Sequence, residues 1–234
     1  MGRVYYIWFL FLFASVDGYS QVEYINTDRP DQSDGVATVA KNRLQVENGV
    51  TIGKDILLNN FMVRYGLTNS TELRLLADAG KELGLKGLKP LTFSMKQRVI
   101  DQRKVLPAIT FVGYLSIDRW ASKEFDGPET PLKLGLAFEN EISDAFSVGY
   151  NIGFSDHFKE LDLTFGVGYS PSPKISTFVE YFSIVTDQGT DHNMDVGVLF
   201  AVSPLLQFDL ACARSLTPSD SPFLTTFGVA YLFN

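Results

Sequence analysis

At 234 residues, with a formal charge of −7, 45% hydrophobic side chains and one cysteine, the chain has the length of one β domain of ordinary size. The acidic balance leaves no basic stripe for nucleic acid, and the lone Cys212 excludes an intramolecular disulfide framework. After Ser20 no stretch is long and apolar enough for a membrane helix, so any membrane insertion falls to strands.

The chain opens with Met1-Gly2-Arg3 and an apolar run, Val4 to Val16, that is too short for a membrane helix but suits a signal-peptide core. Small residues at Gly18 and Ser20 place the expected cleavage before Gln21, giving a signal peptide over residues 1–20. Residues 21–42 carry neither strand nor helix periodicity, and Thr27-Asp28-Arg29-Pro30-Asp31-Gln32-Ser33-Asp34-Gly35 is turn chemistry. Two readings stand for this segment: a periplasmic tail, or a plug folded into the barrel that follows.

From residue 43 a period of two takes over. Leu44, Val46, Val50 and Ile52 oppose Gln45, Glu47, Gly49 and Thr51; Phe61, Val63, Tyr65 and Leu67 oppose Asn60, Met62, Arg64 and Gly66. The same alternation recurs around Leu73, Phe93, Phe111, Leu134, Ile152, Phe165, Val179, Val198 and Leu210. It ends in Phe223–Phe233, about 11 residues with an aromatic next to the C-terminus, the length of a tilted membrane-crossing strand. The strands total about twelve, an even number, as single-chain bacterial barrels have.

Loop lengths add independent information. Short turns at 67–71, 140–144, 170–173 and 202–205 alternate with longer polar links at 80–90, 118–130, 184–193 and 215–222. That asymmetry is expected of short periplasmic turns and longer outer loops. One link, 98–106, is too long for the turn its place requires. The resulting expectation is an all-β fold over residues 43–234: an up-and-down antiparallel transmembrane β-barrel of about twelve strands. Its apolar face meets lipid and its glycine-rich, charged face lines a lumen.

Thr27-Asp28-Arg29-Pro30-Asp31-Gln32, Leu44-Gln45-Val46-Glu47-Asn48-Gly49 and Val63-Arg64-Tyr65-Gly66-Leu67-Thr68 with Glu72-Leu73-Arg74 resemble a family of outer-membrane proteins. That family is grouped under the meta-pathway of phenol degradation. The resemblance covers essentially the whole chain after residue 20. It implies a barrel in the bacterial outer membrane and, more loosely, transport.

Lumen candidates follow from the polar face. Arg64, Glu72, Arg74 and Asp78 flank one short turn; Lys133, Glu139, Asp162, Glu180, Asp195 and Asp209 lie on later strands. They serve either as a charged constriction that sets solute selectivity or as a ladder of ion pairs filling the lumen. Asp28, Arg29, Asp31 and Asp34 are the plug candidates. Their D-x-x-D-x-x-D-G spacing is not that of a calcium loop, so no metal or cofactor is expected. Two Asp-His pairs, Asp156-His157 and Asp191-His192, fall at the outer rim and supply a general base for a rim hydrolase, but nothing marks a nucleophile. The function read from these features is passive transport or binding of a small solute, hydrophobic and aromatic ones included. The alternative is a structural or surface-interaction barrel with no open channel. Outer-membrane lipid, the barrel-assembly machinery and a small-molecule solute are the implied partners.

Overall fold

A computed structural model describes residues 24–125, 132–217 and 223–233. The expected signal peptide lies outside these residues, as do parts of two of the expected outer loops.

Twelve strands make the barrel wall: β1 (Leu44–Gly53), β2 (Ile56–Gly66), β3 (Thr71–Glu82), β5 (Leu91–Ile100), β6 (Ala108–Ile117), β7 (Leu132–Ser143), β8 (Phe146–Ser155), β9 (Glu160–Ser172), β10 (Ile175–Thr186), β11 (Gly189–Ser203), β12 (Leu206–Ser215) and β13 (Leu224–Phe233). A short β4 (Leu85–Leu88) pairs only with β3. Each strand is antiparallel to its neighbours, and β13 returns to β1 with Phe233 opposite Leu44, so the twelve-stranded wall closes on itself and leaves an edge only at β4 beyond it. The closure satisfies every strand's hydrogen-bonding groups within the wall, which a bilayer demands. β1 begins and β13 ends at the same end, called proximal below; the opposite end is distal.

The period of two sorts the faces as expected. Phe61, Leu73, Phe93, Phe154, Phe165, Phe200 and Phe227 are exposed on the outside, an apolar belt that only lipid can cover at this extent. Near the proximal end, aromatics pack in pairs, Phe146 on Tyr169 and Tyr231 on Phe233, as in an interfacial girdle. Cys212 is a free thiol on this outward face. Inside, the fully buried side chains are mostly polar: Gln45, Glu47, Arg64, Glu72, Lys96, Thr110, Glu180 and Asp195. Tyr114, Phe178 and Phe182 also turn inward. Phe178 lies over Gly197, where an added Cβ would fall 2.3 Å from its ring, and Phe182 lines the distal mouth.

The distal links differ from expectation in extent. Residues 184–193 are not a loop: β10 runs to Thr186 and β11 starts at Gly189, leaving a two-residue hairpin. Residues 80–90 likewise form a hairpin of β3 with β4. Beyond the bilayer neither strand face needs to be apolar, so alternation fades while ladder hydrogen bonding continues. At the proximal end the overlong link carries a bridge between Arg103 and Leu106.

Candidate functional site

The lumen is occupied by the chain's own N-terminal segment. Its first limb enters at the proximal end, where Ile25 N–H donates to Pro204 O at 2.8 Å. It climbs to a tip at residues 31–33 and descends through Val36 and Val39. At its exit Lys41 N–H donates to Asn69 Oδ1 at 3.2 Å, and Asn42 N–H donates to Gly66 O at 2.8 Å. Turn-forming residues suit this path because each backbone polar group must find a partner on a curved polar wall.

Asp28 is the centre of the docking. Lys96 Nζ and Arg74 Nη1 each donate to its carboxylate at 2.7 Å, and Arg64 Nη2 stands 3.5 Å away. Burial opposes its ionisation, but Arg64, Lys96 and Arg74 together overcome that and hold it well below the usual carboxylate range. Arg64 also donates to Glu72 through Nε (2.7 Å) and Nη2 (3.0 Å), and to Glu47 through Nη1 (2.8 Å). Glu72 in turn accepts Val39 N–H at 2.6 Å, which ties the second limb to the same cluster. Asp34 accepts from Arg74 Nη1 at 3.0 Å and from Tyr114 Oη at 2.5 Å.

Arg29 uses a different device. Gly49 and Gly228 are direct cross-strand partners of β1 and β13, and an added Cβ would fall 2.1 Å from Arg29 Nη2 at the first and 2.6 Å from Nε at the second. The paired glycines make a notch in which the guanidinium lies flat, donating to Thr226 Oγ1 at 2.8 Å and Asp209 Oδ1 at 3.3 Å. Gly66 does the same for the backbone, since a Cβ there would meet Ala40 O at 2.1 Å. On the far wall Ser33 and Thr164 hydroxyls are 3.0 Å apart, and Asp34 N–H donates to Asn151 Oδ1 at 2.7 Å. Val36 packs with Ala108, Val112 and Ala137 in a small apolar cluster.

A closed, lipid-belted barrel with a TDRPDQ segment seated in its polar lumen has a counterpart among known sequences. The family described as "Putative MetA-pathway of phenol degradation" matches residues 27–233. The chain belongs to this family. Among solved structures it resembles the KdgM porin (TM-score 0.64, 11% identity, 81% of this chain and 99% of that one). The NanC porin (0.62, 7%, 80% and 98%) and the Acinetobacter baumannii outer membrane protein Omp33 (0.54, 9%, 82% and 99%) are similar in the same way. Identities this low establish the shared fold, that of bacterial outer-membrane porins. No curated protein matches this family member in sequence.

The remaining candidates divide. Lys133 pairs with Asp162 at 3.1 Å. Asp78 does not join Arg64 and Glu72; it accepts from Asn60 Nδ2 at 3.1 Å, its direct cross-strand partner, in the distal half of the lumen. Glu139 lines the proximal cavity, and Glu180 and Asp195 meet the tip of the loop. Sequence reasoning passed over Lys96, Tyr114 and Glu47 as site residues. Lys96 and Glu47 carry a signal, a charge on the inward side of an alternating strand; Tyr114 is disguised as one more apolar strand residue. Of the Asp-His pairs, His157 Nδ1 stands 3.4 Å from Asp156 in an exposed turn. His192 hydrogen-bonds Tyr181 Oη at 2.5 Å on β11.

The docking is directly testable. In a Cys212→Ser background, Ser33→Cys with Thr164→Cys is expected to oxidise to a disulfide in the refolded protein, seen as a mobility change on a non-reducing gel. Cross-linking that appears only in denaturant would overturn the docked arrangement.

Proposed function

We propose that this protein is a plugged outer-membrane channel for passive passage of a small solute, with residues 24–43 as its constriction. The observation that carries this reading is a lumen divided by the loop into a distal cavity of about 390 Å³ and a proximal one of about 420 Å³, with Asp31 lining both. A barrel of this strand number has room for a narrow path once part of the loop moves.

Charge narrows the solute class. The lumen cations Arg29, Arg64, Arg74, Lys96 and Lys133 each have a carboxylate partner. Asp31, Asp78, Glu139, Glu180 and Asp195 line the cavities without an ion pair among the described residues. Such a passage favours neutral or cationic solutes over anions. One KdgM structure holds oligogalacturonate, an anion; the charge balance here argues against carrying that ligand class over.

Refolded protein in a planar bilayer is expected to give discrete steps whose reversal potential in a salt gradient reports cation preference, and removal of residues 21–42 should enlarge the steps severalfold. A second reading, a structural barrel with no open path, is favoured by the density of ion pairs around Asp28. Silence of both full-length and shortened protein after verified insertion would select it.

A further inference from the structure

The two halves of the loop are held by opposite chemistry. On the β1–β5 side every carboxylate of the Asp28 cluster faces a cation. On the β10–β11 side the reverse holds. Asp31 lines the distal cavity together with Asp195 of β11 and the proximal cavity together with Glu180 of β10; Glu180 and Asp195 are direct cross-strand partners, each only 2% exposed. Glu180 Oε2 accepts Gln32 N–H at 2.8 Å, yet among the described residues Glu180 Oε1 and Asp195 Oδ1 have no hydrogen-bond partner. Among the described residues no Lys, Arg or His makes an ion pair with any of the three.

The neighbouring charges are already engaged. Asp28 belongs to Arg64, Arg74 and Lys96; Arg29 turns away to Asp209 of β12; Asp34 is held by Arg74 and Tyr114; Asp162 of β9 pairs with Lys133 of β7. β8 and β13 present neutral Asn151 and Thr226 to the loop. Two buried carboxyls with a third, half-buried one beside them repel when ionised, whereas a protonated carboxyl becomes a donor for the orphaned oxygens.

We propose that Asp31, Glu180 and Asp195 form a proton-operated latch: protonated, they hold the tip of the loop against β10–β11, and ionised, they release it and join the two cavities into one passage. This rests on the channel reading above. Because every carboxylate on the Asp28 side has a cation partner, the tip swings while the first limb stays seated.

The sign follows from linkage. Burial, then the charges of Glu180, Asp28 and Asp195, push Asp31 well above the ordinary value of 3.8. In a displaced tip it returns toward that value, so the docked state binds more protons. Docking is therefore strongest at acid pH and weakens as pH rises from 3.8 through the docked value, by up to about tenfold per pH unit for one carboxyl. Asp28 runs the other way: held low, it keeps its contribution at all pH values above its ordinary one and loses it only in strong acid. As pH rises above the ordinary carboxylate range, the Asp31 side of the docking weakens while the Asp28 side keeps its contribution.

The test uses a nitroxide on Gln32→Cys in the Cys212→Ser full-length protein, read by spin-label line shape beside bilayer conductance. From pH 5 to pH 9 the mobile fraction and the conductance are expected to rise together severalfold. Asp31→Asn should hold both at their acid values. Glu180→Gln with Asp195→Asn should flatten both responses while the heat-modifiable gel shift reports an intact barrel. A tip equally immobile at both pH values, or a response that survives both variants, overturns the latch. A tip that mobilises without current upholds the latch and overturns the channel reading instead.

Discussion

Replacing Asp28 by alanine is expected to release residues 24–43 from the lumen while leaving the barrel folded. The substitution removes the carboxylate shared by Arg64, Arg74 and Lys96. Arg64 keeps Glu47 and Glu72, and Arg74 keeps Asp34. Lys96, fully buried, has no other ion-pair partner among the described residues. Stranding a buried charge costs about 3–5 kcal/mol, which shifts the docking equilibrium by a factor of roughly a hundred to several thousand. The cheapest relief is to let water reach Lys96 by undocking the loop, because the wall is held by its own closed hydrogen-bond ladder. Conductance of the Asp28→Ala protein should approach that of the chain lacking residues 21–42, and the Ser33–Thr164 cross-link should fail to form. Asp28→Asn, which keeps an acceptor but no charge, should fall between. Unchanged conductance with an intact cross-link would show that the Asp28 cluster does not hold the loop.

Gly66→Val is expected to have the second largest effect, by sterics. A Cβ at Gly66 would sit 2.1 Å from Ala40 O and 2.4 Å from Val39 O, both backbone atoms that cannot rotate away. Overpacking of this kind costs about 1–3 kcal/mol, and here it falls on the second limb. Val39 should lose its 2.6 Å bond to Glu72, so hydrogen exchange at the Val39 amide should accelerate by roughly fivefold to a hundredfold with the barrel's amides unaffected. Gly49→Ala provides the contrast. Its Cβ meets only the end of Arg29, a side chain able to swing, and a smaller effect is expected. Equal exchange rates in Gly66→Val and wild type would mean that the close backbone approach is not required for docking.

The ion pair of Arg64 with Glu72 was legible because both stand on inward positions around one short turn, which sets the register of β2 against β3. The same reasoning wrongly grouped Asp78 with them. Asp78 stands four residues beyond Arg74 and six beyond Glu72 on the same strand, which at about 3.3 Å per residue carries it far along the barrel, and it lies opposite Asn60 instead. The glycines of the inner face were legible as open space, and two opposed ones, Gly49 and Gly228, became visible as a notch only when β13 was paired to β1. Tyr114 was illegible: its hydroxyl partner, Asp34, is 80 residues away.

By itself the sequence determined the barrel, its approximate strand number and the face each residue presents. Lipid outside and a polar lumen inside impose a strict alternation on every strand, and alternation is a local property that needs no partner to be read. It also marked residues 27–35 as irregular and polar. Where that segment goes was decided by tertiary structure alone. Asp28 recognises three cations that lie on three different strands, and Arg29 recognises a notch formed where the two ends of the chain meet. Such a site exists only after the sheet has closed, because ring closure is what brings inward charges from distant strands within hydrogen-bonding distance of one loop.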